Sequence, residues 1–176
     1  SHTAEVLRQV EGANLPEGGW AGGDAWFGSV ITAVEVKRRF GVNSTWVIKN
    51  NTDLYPMGAL HSVLKARYGD KPAGHWVVFS TVIADVNLYA IAYAWSHSNV
   101  AYWITTCGST FPSPKKYESH YEDEWGCVQT RIIPRPHILE WVYDYMPLLD
   151  EHNKQRVSQF CSWKKNGQRR IVGFAY

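Results

Sequence analysis

The stretch that most constrains the fold is Gly22-Gly-Asp-Ala-Trp-Phe-Gly-Ser29. A short strand from Trp20 to Gly23 leads into Asp24. The chain then turns into a helical pattern running from about Val30 and ending before Gly41. A strand that ends on an acid and passes straight into a helix puts that acid at the carboxyl edge of a sheet. Open α/β folds build their sites at that edge. The free N–H groups of the helix start also favour negative charge there. Aspartate is equally a preferred helix N-cap. Local sequence therefore leaves Asp24 two roles, a cap or a site residue.

The rest of the chain supports one globular domain. Its 176 residues are enough for a real core, and 45% of them are hydrophobic. Eighteen Lys+Arg against sixteen Asp+Glu leave a net charge of +2, so the balance alone does not argue for a nucleic-acid partner. Clustering of the basic residues is what would matter. Nine tryptophans raise the aromatic content to 14%, which fits either a ring-rich core or a base-stacking surface. Three cysteines at wide spacing do not make a disulfide framework. Cys107, His120, Cys127 and Cys161 lack the close pairs of a structural zinc site, so reduced thiols are expected. No run is long and apolar enough to span a membrane, and no signal peptide is expected. The opening Ser1-His2 without methionine reads as a tag remnant or a cut inside a longer protein.

Along the chain, Ala4–Val10 has helical spacing, Thr45–Lys49 reads as a strand, and Met57–Tyr68 as a helix. Trp76–Ile83, Leu88–Trp95 and Ala101–Thr106 predict a three-stranded antiparallel meander, turned at Asp85–Asn87 and Ser96–Asn99. In the middle strand Tyr89, Ile91, Tyr93 and Trp95 share one face, and Ala90, Ala92 and Ala94 the other. The small face invites close approach by a covering element, and the large one fills a core. Gly108–Gly126 is polar and turn-rich and predicts an exposed, mobile loop whose acidic cluster is solvated. Val128–Ile133 is a last strand, and a helix follows Pro136, interrupted at Pro147.

Three basic segments stand out. Lys37, Arg38 and Arg39 either match the dipole at a helix end or touch a phosphate backbone, the first being favoured. Arg131 and Arg135 flank Pro134 and Pro136. Lys164, Lys165, Arg169 and Arg170 form the most basic tract, either a DNA-backbone contact or a solvated tail.

Two stretches together resemble the piggyBac-type DDE transposases. One is Asp24-Ala-Trp-Phe-Gly-Ser29. The other runs from Arg135 to Arg156, with Tyr143-Asp144 in place of the family's Tyr-Asn-like pair. Met146-Pro-Leu-Leu-Asp150, with Asn153 three positions on, stands in place of its Met-Gly-Gly-Val-Asp segment. The resemblance covers Ala4 to about Trp163.

The resemblance implies a truncated RNase H-like α/β domain with parts over about 4–68 and 135–163, an inserted antiparallel meander over about 74–133 and a C-terminal helix. It implies that Asp24 and Asp150 are the second and third catalytic acids, holding Mg²⁺ or Mn²⁺ for phosphodiester cleavage and strand transfer. It also implies a DNA partner and a nuclear location. The family's first acid lies on an earlier strand, expected ahead of Ser1. Glu5, Glu11 and Glu17 sit in no β pattern, so this chain is expected to be catalytically incomplete. Pro147-Leu148 replaces two glycines of the family segment. The alternative function is a domesticated, non-catalytic module that binds DNA or a protein partner, or that dimerises through an exposed edge strand. A small α/β enzyme of another chemistry ranks last, since no Ser/His/Asp arrangement, P-loop or dinucleotide motif supports it.

Overall fold

The structure is a computed structural model; it describes residues 2–70, 72–96, 98–115, 117–147 and 173–175. The elements are α1 (His2–Ala13), β1 (Trp20–Gly23), α2 (Val30–Phe40), β2 (Asn43–Val47) and α3 (Met57–Tyr68). They continue with β3 (Trp76–Ile83), β4 (Val86–Ala94), β5 (Val100–Thr105), β6 (Tyr117–Glu122) and β7 (Val128–Ile133). A 3-10 turn (His137–Leu139) leads into α4 (140–147), and β8 spans Gly173–Ala175.

One mixed sheet runs β3-β4-β5-β2-β1-β8. β1 and β2 are parallel, joined by α2 as in a βαβ crossover, and every other neighbouring pair is antiparallel. The expected meander is present, and it is continuous with the rest: β5 pairs with β2, Val47 opposite Trp103. β6 and β7 form a separate two-stranded hairpin.

Helices cover both faces of the sheet. On one face Val6 and Val10 of α1, Val30, Ala33, Val34 and Val36 of α2, and Leu60 and Leu64 of α3 pack over Trp46, Ile104 and the alanines of β4. The predicted small face thus admits the helices closely. On the other face Ile91 and Tyr93 of β4, Trp103 and Trp20 pack under Ile138, Leu139 and Val142. The alternation in β4 therefore divides two cores.

Local chemistry sets the boundaries. Ser29 caps α2, its Oγ accepting from Thr32 N at 3.0 Å. Gly41 ends α2 at φ +65°, and Lys37 Nζ donates to Gly41 O at 3.0 Å and Asn43 Oδ1 at 2.9 Å. The β3–β4 turn is Ala84-Asp85, at φ 48° and 65°, one step earlier than expected, so Val86 and Asn87 are already in β4.

One expectation is corrected. The stretch Gly108–Gly126 is not all loop, because β6 lies within it. The helix expected after Pro136 does follow it, but it opens with a 3-10 turn, with Pro136 at the cap position. No helix among the described residues is long and apolar enough to cross a membrane.

Candidate functional site

The site is assembled at the end of the sheet where β1 and β2 finish together. Asp24 follows the last residue of β1 and is half-buried. Its Oδ1 accepts from Trp26 N at 2.8 Å, and its carbonyl accepts from Phe27 N and Gly28 N, both at 3.2 Å. This Asx turn fixes the carboxylate at the sheet edge. The cap of α2 belongs to Ser29, so the N-cap alternative for Asp24 is set aside.

Close backbone packing holds this corner. A Cβ on Gly22 would stand 2.8 Å from Thr45 O, so β1 lies tight against β2. Trp26 is 46% exposed, with the His2 ring 4.6 Å away and Lys49 Nζ 4.4 Å above its own ring. Lys49 follows β2, so a cation shares the edge with Asp24.

The strand register carries this edge onto the second face. Gly23 is opposite Trp46, Val47 opposite Trp103, and Ala101 opposite Tyr93. The start of β5 and the end of β4 thus lie at the same end of the sheet as Asp24. There, Tyr93, Trp95, Trp103, Tyr117, Arg135 and Tyr143 contribute to the walls of a cavity of about 520 Å³. The Arg135 guanidinium lies between two rings, its Cζ 4.1 Å from the Tyr117 centroid and 4.0 Å from that of Tyr143. Burial pushes the Tyr93 and Tyr143 hydroxyls above the usual tyrosine value, with the Arg135 charge opposing the rise at both. Tyr93 Oη donates to Pro134 O at 3.1 Å. Sequence reading assigned the large face of β4 wholly to a core. Ile91 and Tyr93 meet that expectation at 0% and 1% exposure, but Trp95 is 45% exposed and lines the cavity.

The other singled-out residues separate. α2 starts beside Asp24 and runs back along β1, so Lys37, Arg38 and Arg39 lie at the opposite end of the sheet. Arg38 and Arg39 pair with Glu35 at 3.7 Å and 2.7 Å. Arg131 is exposed on β7. Asp144 accepts from Lys115 at 2.6 Å, and Lys115 also reaches Glu140 at 3.1 Å. Lys115 holds the Glu140 carboxyl below the usual range. In the acidic loop, Asp123 Oδ1 accepts from Trp125 N and Cys127 N at 3.0 Å and 2.9 Å, and Oδ2 from Gln129 Nε2 at 2.9 Å; these bonds lower its carboxyl. Cys107 and Cys127 are free thiols, and burial raises that of Cys107.

Asp150, Asn153, Cys161, Lys164, Lys165, Arg169 and Arg170 lie outside the described residues. Of the two acids implied as metal ligands, only Asp24 can therefore be placed. Among the described residues no three His, Cys, Asp or Glu side chains gather as a metal-binding group. Asp24 supplies one hard oxygen donor at an accessible edge, and by itself that is not a metal site.

No protein-family model matches the chain, and no curated protein is similar enough to match. Among solved structures, the chain is similar to a piggyBac transposase seen by cryo-EM in a synaptic complex with hairpin DNA. The identity is 15% and the TM-score 0.53, a likeness of fold. It covers 89% of this chain and 27% of that one, so the chain spans about a quarter of the transposase whose fold it shares.

Proposed function

We propose that this chain is a transposase-derived domain of the DDE, RNase H-like kind that acts on DNA in the nucleus, with Asp24 as one of its metal-binding acids. The reading rests on one observation above others. The chain shares its fold over 89% of its length with a piggyBac transposase, and Asp24 closes a strand at the sheet edge beside the start of a helix. Asp150 is proposed as the second acid. Mg²⁺ or Mn²⁺ bound there would activate a nucleophile and stabilise a leaving oxygen in phosphodiester cleavage. The part of the chain's own residues is to present the carboxylate, held by the Trp26 N–H, and a cation, Lys49, at one edge. Arg135 and the basic tract at Lys164, Lys165, Arg169 and Arg170 are proposed DNA contacts, with Lys37, Arg38 and Arg39 as a remote one.

Nicking of supercoiled and hairpin DNA with Mg²⁺ or Mn²⁺ tests the catalytic part. Cleavage that disappears in both Asp24→Asn and Asp150→Asn supports it. Intact DNA with the wild-type chain refutes it and leaves the domesticated, non-catalytic reading. Binding across a salt series then separates the partners, because phosphate contacts weaken steeply as salt rises.

A protein partner or a second copy is favoured by one feature. Among the described residues β3 is an open edge of the sheet, with Val82 63% and Ile83 38% exposed near its end. Pairing along such an edge would be insensitive to salt and visible as a stable complex or dimer in sedimentation.

A further inference from the structure

The helices leave one end of the β3–β4 pair uncovered. α3 ends near the start of β3, where the Tyr68 ring stacks on His75 with centroids 4.1 Å apart. At the far end of β3, residues 80–83 are exposed. Beside them, on the helix face, lies a cavity of about 210 Å³. Its floor is Leu88, Ala90 and Ile104. One wall is the segment 54–56, and the opposite wall is β3 itself. Phe79, Thr81 and Ile83 share that face of β3. Thr81 is the small residue between two large ones, so the wall is notched at the strand edge.

The wall at 54–56 is pinned to the sheet. Tyr55 Oη stands 2.9 Å from both Ile91 O and Trp103 O. Leu54 sits beside it at φ 64° and is 74% exposed. A left-handed backbone is costly for leucine, and here it presents an apolar side chain at the mouth of a cavity. The chemistry narrows the occupant. The volume falls below the roughly 300–1,000 Å³ of small-molecule sites. The lining carries no charged side chain. One aliphatic side chain suits such a space. β3 runs eight residues without a charge or a proline, the usual protections of an edge. Its outer N–H and C=O groups face no other strand among the described residues. A free edge and a side-chain pocket lying together are the two parts of strand-addition recognition. Main-chain bonds hold the peptide, and the pocket selects one side chain. The charged residues nearest the lining in the chain are Asp53 and Asp85, both exposed. They favour basic residues on the incoming segment, although surface pairs of this kind add little affinity.

We propose that the free edge of β3 takes an extended segment of a partner protein as a further strand, with one aliphatic side chain seated over Thr81 in this cavity and basic residues on either side of it. The inference rests on the partner reading of β3 above and is independent of the DNA reading. The whole chain is titrated with four fluorescent peptides. The first is Lys-Thr-Val-Leu-Val-Thr-Lys, capped at both ends. The second has aspartate in place of its leucine. The other two have alternate amides N-methylated, one blocking each edge of the extended peptide. The aspartate peptide should bind about 10- to 100-fold more weakly than the leucine one, the measure of one buried aliphatic side chain. The N-methylated form whose blocked edge faces β3 should lose binding, and the other should keep it. Thr81→Lys and Leu54→Ser, each checked for an unchanged melting curve, should remove most of the difference between leucine and aspartate. Equal binding of the leucine and aspartate peptides, or of the two N-methylated forms, overturns the inference. Failure of every peptide to bind also overturns it, and sedimentation of the chain alone then decides the partner reading. A dimer that Thr81→Lys dissociates leaves the edge standing with a second copy as its occupant, and a monomer removes both.

Discussion

A Cβ on Gly28 would stand 1.8 Å from the carbonyl oxygen of Val47. The turn that carries Asp24 and the end of β2 therefore meet backbone against backbone, with no room for a side chain. Gly28→Ala must push the two apart. The expected loss is about 1–3 kcal/mol or more, read as a lower urea midpoint with an unchanged slope. An unaffected midpoint would mean that the turn and β2 are not in contact.

Asp24 has a structural task that can be separated from its proposed chemical one. Asn keeps the oxygen that accepts from Trp26 N, so Asp24→Asn should leave thermal stability within about 0.5 kcal/mol. Asp24→Ala should lose about 0.5–1.5 kcal/mol with the hydrogen bond. Nicking activity, where present, should vanish in both. A fully active Asp24→Asn chain would exclude the residue as a metal ligand.

Ser29 satisfies the first turn of α2, and its Oγ also lies 2.8 Å from Thr32 Oγ1. Ser29→Ala should cost about 1 kcal/mol and Ser29→Asp much less, since Asp is a good cap and suits the helix dipole. Denaturant unfolding of the two variants side by side checks the order.

The Tyr55 hydroxyl is placed 2.9 Å from both Ile91 O and Trp103 O, in a pocket where it is 8% exposed. Tyr55→Phe removes the one hydroxyl proton these two carbonyls share and should cost about 0.5–1.5 kcal/mol. Burial is the main force raising the Tyr55 hydroxyl above the ordinary value, and it acts alike on Tyr143. The unfolded chain therefore releases these protons first. Their contribution to stability is full below about pH 10 and falls as pH rises beyond it. Unfolding measured from pH 8 to 11 should show that decline, with a shallower slope in Tyr55→Phe. A slope unchanged by the substitution would contradict the burial.

The sequence displays what local chemistry decides. Gly41 stops α2 where an αL residue is needed, and the Tyr/Ala alternation of β4 separates two cores before any contact is known. β6 was hidden for a physical reason. Tyr117-Glu-Ser-His-Tyr-Glu122 pairs only with β7 and is largely exposed on both faces, so burial imposes no period of two. The Arg135 sandwich was hidden for another. Tyr117 and Tyr143 come from the hairpin and from α4, and no spacing in the chain announces that they meet. Asp24 could be singled out from its strand-to-helix setting, but its Asx turn could not be distinguished from a cap until Ser29 was seen in the cap position.

The two-stranded β6–β7 hairpin has too little surface of its own to stay folded in isolation. Its Tyr117 is gripped by Arg135, the same side chain that lines the cavity. That arginine ties a fragile flap to the wall of the cavity. Whatever engages it should slow amide hydrogen exchange along β6 and β7, and loosening it should let the flap breathe while the central sheet stays closed.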